Sequence, residues 1–209
     1  LPAERASAAL AIAASHAGGL APNFGTMTKP YHAGLAARNG LSSARLAAGG
    51  LTAGRDTLEN AQGFLNAFSP SSADRESPVK VGSEWYLPWQ SLCVKKYASC
   101  YFTHRSFDTV VKMLTGRKLK PDDIAAIEVT MGIGQVVVLA NPNPQTGLEA
   151  KFSEQFAMAA AVILGRMSVD VFTDAIVQRK DIQAFFPKVK LISVEEFDTR
   201  DPAHSPTER

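Results

Sequence analysis

The chain is poor in the residues that build metal centres, disulfide frameworks and membrane spans. Its 209 residues include two cysteines, four histidines and two tryptophans. Cys93 and Cys100 lie outside any Cys-x-x-Cys spacing, and two thiols with scattered histidines make no zinc site. So few thiols fit a reducing, cytoplasmic setting. No apolar run approaches the ~20 residues that span a bilayer, so no membrane partner is expected. Net charge is nearly absent as well. With 22 basic and 20 acidic residues it is +2, too balanced for a general nucleic-acid binder. The first residues are Leu1-Pro2 rather than Met. Glu4 and Arg5 then precede a mostly Ala stretch instead of a strongly apolar signal core, so the start reads as an excerpt rather than a signal-peptide remnant.

What is present is an ordinary globular composition, 45% hydrophobic and 20% charged, which excludes a disordered tail, a collagen-like rod and a coiled coil. The distribution is uneven. Residues 1–69 hold 18 Ala and 9 Gly but only 8 charged residues, a density of small side chains that lets helices approach closely. From Lys95 to Lys120 there are seven basic residues against one acid, Asp108. That stretch is either a solvated basic helix face or a site for an anionic substrate.

The pattern predicts helices over Ala3–Ala17, closed by Gly18-Gly19, and over Pro30–Ala48, followed by Gly49-Gly50, with Leu35, Leu41 and Leu46 on one side. A third is expected over Thr57–Phe68, with Phe64, Leu65 and Phe68 at core spacing. Residues 69–82 form a polar Pro/Ser-rich connection, the best candidate boundary. Beyond it, Thr103–Leu114 reads as a helix with Phe107, Val110, Val111 and Leu114 inward. Ala126–Met131 alternates as a strand, Gln135–Leu139 is a second possible strand, and Lys188–Val194 a third. Glu149–Leu164 reads as one apolar helix stopped by Gly165, with short helices at Val169–Val177 and Ile182–Phe186. Strands among helices make the class α+β. The tail from Thr199 is polar.

Three strings carry candidate chemistry. In Gly25-Thr26-Met27-Thr28-Lys29-Pro30-Tyr31-His32-Ala33-Gly34, a Gly-Thr segment enters a helix whose first turn has free N–H groups. Lys29 at its mouth, with His32 one turn on, suits a carboxylate; a capped helix with a solvated Lys and a packed His is the plainer alternative. In Lys95-Lys96-Tyr97-Ala98-Ser99-Cys100-Tyr101-Phe102-Thr103-His104, a histidine opens a helix, where its cationic form is disfavoured and it can act as a neutral base. The alternative is a Thr103 cap beside an exposed His104, and Cys100 reads as a small buried hydrophobe before it reads as a nucleophile. In the third, 141–153, a Pro/Asn loop delivers Glu149 and Lys151 to a helix start, where an acid is favourable without any function.

Taken together the strings resemble the MmgE/PrpD family, which includes 2-methylcitrate dehydratases, cis-aconitate decarboxylases and iminodisuccinate epimerases. G-T-M-T-K-P-Y-H-A-G-L-A-A-R-N-G (25–40) resembles that family's most characteristic run. K-K-Y-A-S-C-Y-F-T-H (95–104) and G-L-E-A-K-F-S (147–153) follow in matching order, and the similarity covers nearly all of residues 1–197. The resemblance implies the helical part of a larger all-α domain (1–82), a smaller α+β domain (83–198) and a polar tail (199–209), with the active site between the domains. It implies a homodimer and no cofactor. It makes Lys29 and Lys95 active-site lysines and His104 the histidine that follows the second lysine, with Thr28, His32 and Cys100 as substrate-binding positions. Cys100 stands where the decarboxylases carry an active-site histidine, which counts against decarboxylation. Family members run to roughly twice this length, so the chain corresponds to a central-to-C-terminal portion.

The expected function is therefore a hydro-lyase that dehydrates a 2-methylcitrate-like hydroxy polycarboxylate by proton abstraction next to a carboxylate. An isomerase or epimerase of a dicarboxylate and a cis-aconitate decarboxylase are the alternatives within enzymes. A non-catalytic polycarboxylate binder that needs an N-terminal half is the alternative outside them.

Overall fold

Alanine at nearly every second position from Ala3 gives a strong helix former with little side chain to order, and the first helix, α1, runs Ala3–Ala14. In this computed structural model, residues 1–68, 82, 85 and 94–195 are described. The 69–82 connection, apart from Gly82, and the tail from Thr199 lie outside them. The described residues form two compact units, one from Leu1–Leu20 and residues 28–68, the other from Ala21–Met27 and residues 94–195.

In the first unit α1 packs on α2 (Thr28–Ala48). The helix predicted to reach Ala17 stops three residues sooner. Ser15 turns its hydroxyl back onto the Ala11 carbonyl at 3.3 Å, and such back-bonding competes with the helical ladder. The buried residues of these two helices are mostly small: Ala11 beside Ile12 on α1, Ser43 and Ala47 on α2. Leu41 and Leu46, expected inward, are exposed, and Leu35 is half-buried. Ser43 is tolerated inside because its hydroxyl donates to Asn39 O at 2.7 Å on its own helix. The end of α2 is where the glycines placed it. Leu51 N–H bonds Leu46 O (3.0 Å), Gly50 N–H bonds Ala47 O (3.1 Å), and Gly50 takes φ +99°, a conformation only glycine adopts cheaply. Arg5 donates to the Ala48 carbonyl at the same end.

The third predicted helix is mostly absent. Residues 55–62 are turns and only α3 (Phe64–Phe68) is helical. The chain doubles back, with Phe64 N–H on Thr57 O (2.9 Å) and Leu65 N–H on Leu58 O (3.0 Å), which removes Thr57 and Leu58 from any continuous helix. Phe68 is consequently exposed.

The second unit is built around α7 (Glu154–Ala159), all six of whose residues are buried. From Phe156 to Ala159 the helix is apolar on every side and has to sit inside a unit, and it takes the buried Glu154 and Gln155 in with it. Against it lie α4 (His104–Leu114), α9 (Lys180–Phe185) and a two-stranded parallel sheet of β1 (Ile127–Gly132) and β2 (Val189–Val194), in register Ile127↔Val189 to Gly132↔Val194. Val129 and Met131 point inward from β1, as their alternation predicts, and join Phe107, Phe156, Met158, Ile182 and Phe185 in one core. Each such fully buried side chain contributes about 1.5–3 kcal/mol. Val110, Val111 and Leu114 of α4 are half-buried, so the inward face predicted for that helix is present.

Two assignments change. Gln135–Leu139 is not a strand; α5 (Ile133–Val138) is helical because Gln135, buried, accepts the Gly132 N–H at 3.1 Å and starts a helix directly after β1. The single helix predicted over Glu149–Leu164 is two. α6 (Gly147–Ala150) is capped by Thr146, and Ser153 begins α7 by accepting the Phe156 N–H at 3.1 Å. α7 then widens into a π turn, Ala160–Leu164, that ends at Gly165 as expected. Past it, Val169–Val171 is 3-10 and α8 covers Asp174–Val177.

Ala21–Met27 packs within this second unit. The Phe24 and Phe152 rings lie 5.3 Å apart. Gly25 is buried at φ +86°, and a Cβ there would come within 2.8 Å of Asn141 Nδ2 and 3.2 Å of Glu149 Cα. The Gly-Thr segment is fixed at its glycine, which touches the third string.

Candidate functional site

The second string folds into a tight staircase of backbone and hydroxyl bonds. Cys100 N–H donates to Lys151 O at 2.8 Å, which ties residue 100 to the turn between α6 and α7. Thr103 Oγ1 donates to Cys100 O (2.8 Å), lies 2.9 Å from Ser99 Oγ, and Ser106 Oγ donates to Thr103 O (3.1 Å). A 3-10 turn over Tyr101–Thr103 delivers the chain into α4 with His104 as its first residue. Thr103 makes no side-chain cap, because its hydroxyl is engaged behind it, and His104 is 6% exposed rather than on the surface.

Around this imidazole the site takes shape. The Ser99 carbonyl accepts from His104 and also from Lys95 Nζ, at 3.1 Å. Two of the lysine and histidine positions singled out in the sequence thus meet on one backbone oxygen. His104 Nε2 is buried and has no hydrogen-bond partner among the described residues. With Nδ1 left to donate to Ser99, Nε2 carries the lone pair. Burial, and then the neighbouring Lys95 charge, hold the imidazole below its usual value of 6.5, so it is neutral at pH 7. The depressed value was foreseen, but its cause is burial and Lys95 rather than a helix end.

Two tyrosines flank the ring. Tyr97 meets it edge-on at 5.2 Å and 81°, Tyr101 lies tilted at 5.2 Å. The Tyr97 hydroxyl donates to Asp108 Oδ1, to which Lys96 Nζ also donates at 2.7 Å. Burial pushes the Asp108 carboxyl up, but the hydrogen bonds from Lys96 and Tyr97 outweigh it and hold the group below 3.8. Burial and the Asp108 contact together raise the Tyr97 phenol above 10. Tyr97, Ser99 and Asp108 were absent from the sequence-derived site. Asp108 had a legible signal: it is the lone acid of the basic stretch and stands four residues after His104, on the same helical face.

The remaining candidates separate. In the first unit, α2 begins at Thr28, so Lys29 is the second residue of the first turn rather than a residue ahead of it; both side chains are exposed. His32, one turn on and half-buried, lies against Gly19 and lines a cavity of about 410 Å³ with His16, Leu35, Asn39 and Phe64. In the second unit, Cys100 is half-buried, three residues before Thr103. Glu149 works as a cap, its carboxylate accepting from Gln145 N–H (2.7 Å) and Thr146 N–H (3.0 Å). Lys151 Nζ stands 5.7 Å from the Phe172 ring centre. Another cavity of the second unit, about 480 Å³ between α4 and β1, is lined by Arg105, Met113, Arg117 and Glu128 but not by His104 or Lys95. Among the described residues no group of three or more His, Cys, Asp or Glu side chains is placed to hold a metal ion, and no helix is long and apolar enough to cross a membrane.

A buried neutral imidazole with an open lone pair, set beside a cation, can take a proton from carbon while the cation stabilises the charge that develops. Two family models match the chain. Residues 1–76 match the MmgE/PrpD N-terminal domain, and residues 97–209 the MmgE/PrpD C-terminal domain. A cis-aconitate decarboxylase of Homo sapiens is 30% identical over 187 residues, 88% of this chain and 38% of that protein. The Mus musculus cis-aconitate decarboxylase is 31% identical over 188 residues, again 88% and 38%. One from Aspergillus terreus is 36% identical over 114 residues, 50% of this chain and 23% of that protein. The chain thus spans well under half the length of these relatives.

Proposed function

The chain belongs to the MmgE/PrpD family, and from that premise we propose that it carries the lysine–histidine part of a lyase site that dehydrates a 2-methylcitrate-like hydroxy polycarboxylate. The observation that supports this reading above others is the pairing of Lys95 and His104 on the Ser99 carbonyl, with His104 Nε2 buried and open. In the proposed reaction His104 Nε2 takes the proton from the carbon next to a substrate carboxylate. The C–H electron pair first moves onto the carboxylate, whose added negative charge lies beside the Lys95 ammonium. It then returns to form the C=C bond as the C–O bond breaks, and the leaving hydroxyl departs as water with a proton from an acid. Lys29, by its place in the family's first string, is assigned to a substrate carboxylate as well, with Thr28, His32 and Cys100 as binding positions. A homodimer in the cytoplasm that needs no cofactor completes the reading.

Decarboxylation of cis-aconitate is the second reading, favoured by the names of the relatives at 30–36% identity. Against it stands Cys100, at the position where the family resemblance puts a histidine in the decarboxylases. The two are told apart by product. The protein is incubated with 2-methylcitrate, citrate, cis-aconitate and related dicarboxylates, and new unsaturated acid (by absorbance) and released CO2 are followed together. Dehydration predicts unsaturated acid without CO2, and loss of at least 10²-fold of the rate in Lys95→Met and His104→Gln. Full activity in both variants would end the assignment of these residues. Size-exclusion chromatography with light scattering checks the dimer.

A further inference from the structure

The proposed chemistry uses His104 through one nitrogen, yet a histidine ring is free to turn about its outer torsion unless something stops it. Its single bond to the Ser99 carbonyl fixes one point of the ring, not its plane. The plane is bounded by Tyr97, whose ring stands at 81° to the imidazole and at 4.7 Å from the buried Phe107 ring. Tyr97 is itself held at its far end. Its hydroxyl donates to Asp108 Oδ1, and Lys96 Nζ donates to the same oxygen at 2.7 Å. Because Asp108 lies one turn after His104 on α4, the brace begins and ends on the helix that carries the imidazole.

We propose that Tyr97 is a positioning residue: pinned through its phenol to Asp108, its ring holds His104 in the orientation that bonds Nδ1 to the Ser99 carbonyl and leaves Nε2 open. This rests on the reading of His104 as the proton-transfer group. The charged groups around the imidazole act with defined signs. Asp108 favours its cation, whereas Lys95 and Lys96 oppose it. Tyr97 is therefore a brace for geometry, and Asp108 serves twice, as the anchor of that brace and as a modest counter-charge.

The test is ¹⁵N NMR of the His104 ring in the intact protein and in Tyr97→Phe and Asp108→Asn, across pH 5–8 in about tenths of a unit. Phenylalanine keeps the ring and its contact with Phe107, so the fold is retained while the anchor is lost. The wild-type protein is expected to show one neutral tautomer, protonated at Nδ1. Tyr97→Phe is expected to show a mixture of tautomers, with kcat about tenfold lower and KM within about twofold. Asp108→Asn is expected to add a downward movement of the His104 titration. Spectra of both variants that superimpose on the wild type, or a wild-type ring protonated at Nε2, would overturn the proposal. The underlying reading fails separately. Undiminished turnover in His104→Gln removes the proton-transfer role but leaves the tautomer result standing.

Discussion

Gly147, in the third string of the family resemblance, touches no part of the Lys95–His104 site, and its replacement by alanine isolates a structural demand. A Cβ on Gly147 would lie 2.0 Å from the Phe172 carbonyl oxygen, 2.5 Å from its carbon and 3.0 Å from Thr173 N. All three are backbone atoms, so no rotamer change makes room. Ordinary carbon–oxygen contacts begin near ~3.3 Å, and the two segments have to part by over an ångström. Overpacking of this kind costs about 1–3 kcal/mol. The parting also breaks the 2.8 Å bond from Gly147 N–H to the Asp174 carboxylate, worth about 1.5–3 kcal/mol for a charged acceptor. Alanine recovers about 0.4–1 kcal/mol through the unfolded chain. The net loss is about 1.5–5.5 kcal/mol, a large part of a domain's stability. The control is Gly134→Ala on α5 in the same unit, where nothing lies within 4 Å and alanine is expected to stabilise by about 0.5–1 kcal/mol. Urea unfolding followed by far-ultraviolet circular dichroism reads both. If Gly147→Ala unfolds within about 1 kcal/mol of the wild type, the close approach does not hold the glycine in place.

Ser153→Ala removes the cap of the most buried helix, and a loss of about 1–2 kcal/mol in the same urea assay is expected; an unchanged midpoint would mean α7 needs no cap. His104 is held below 6.5 by burial and by Lys95, so the unfolded chain binds more protons than the folded one between the folded value and 6.5. Its contribution to stability is thus complete above pH 6.5 and declines as pH falls beneath it. Thermal melts from pH 7.5 to 5 should show a decline that His104→Gln reduces, and an equal slope in that variant would refute the linkage. Lys95→Met takes away the cation that opposes His104 protonation, and the ring's NMR titration should move upward; a downward movement would contradict the shared-carbonyl geometry.

Much of the second unit was legible because its signals are local. Val129 and Met131 alternate inward on β1 and Gly165 stops a helix; in the first unit the same holds of Gly49-Gly50, which close α2 through two defined bonds. The misreadings have local causes of another kind. Val136-Val137-Val138 has strand composition, yet Gln135 reaches back to Gly132 and nucleates a helix. Thr146 to Glu149 and Ser153 to Phe156 are both capping patterns, and the apolar run across them concealed the interruption. Leu41 and Leu46 misled because the helix buries Ser43 and Ala47 instead, choosing close approach over bulk. For the site, Lys95 and His104 were readable as residue types at a helix start. Their meeting on Ser99 was not, since it depends on the Cys100–Lys151 bond between segments some fifty positions apart.

The Ser99 carbonyl has a consequence for how such a site is found by mutation. The oxygen that gathers a lysine and a histidine belongs to the main chain, and every residue type brings the same one. A scan that swaps side chains to alanine passes over it: Ser99→Ala removes a hydroxyl bonded to Thr103 and leaves both donors where they are. An ester in place of the amide that follows Ser99 weakens that oxygen as an acceptor and also removes the Cys100 N–H that donates to Lys151 O, so it tests the carbonyl and its tether together.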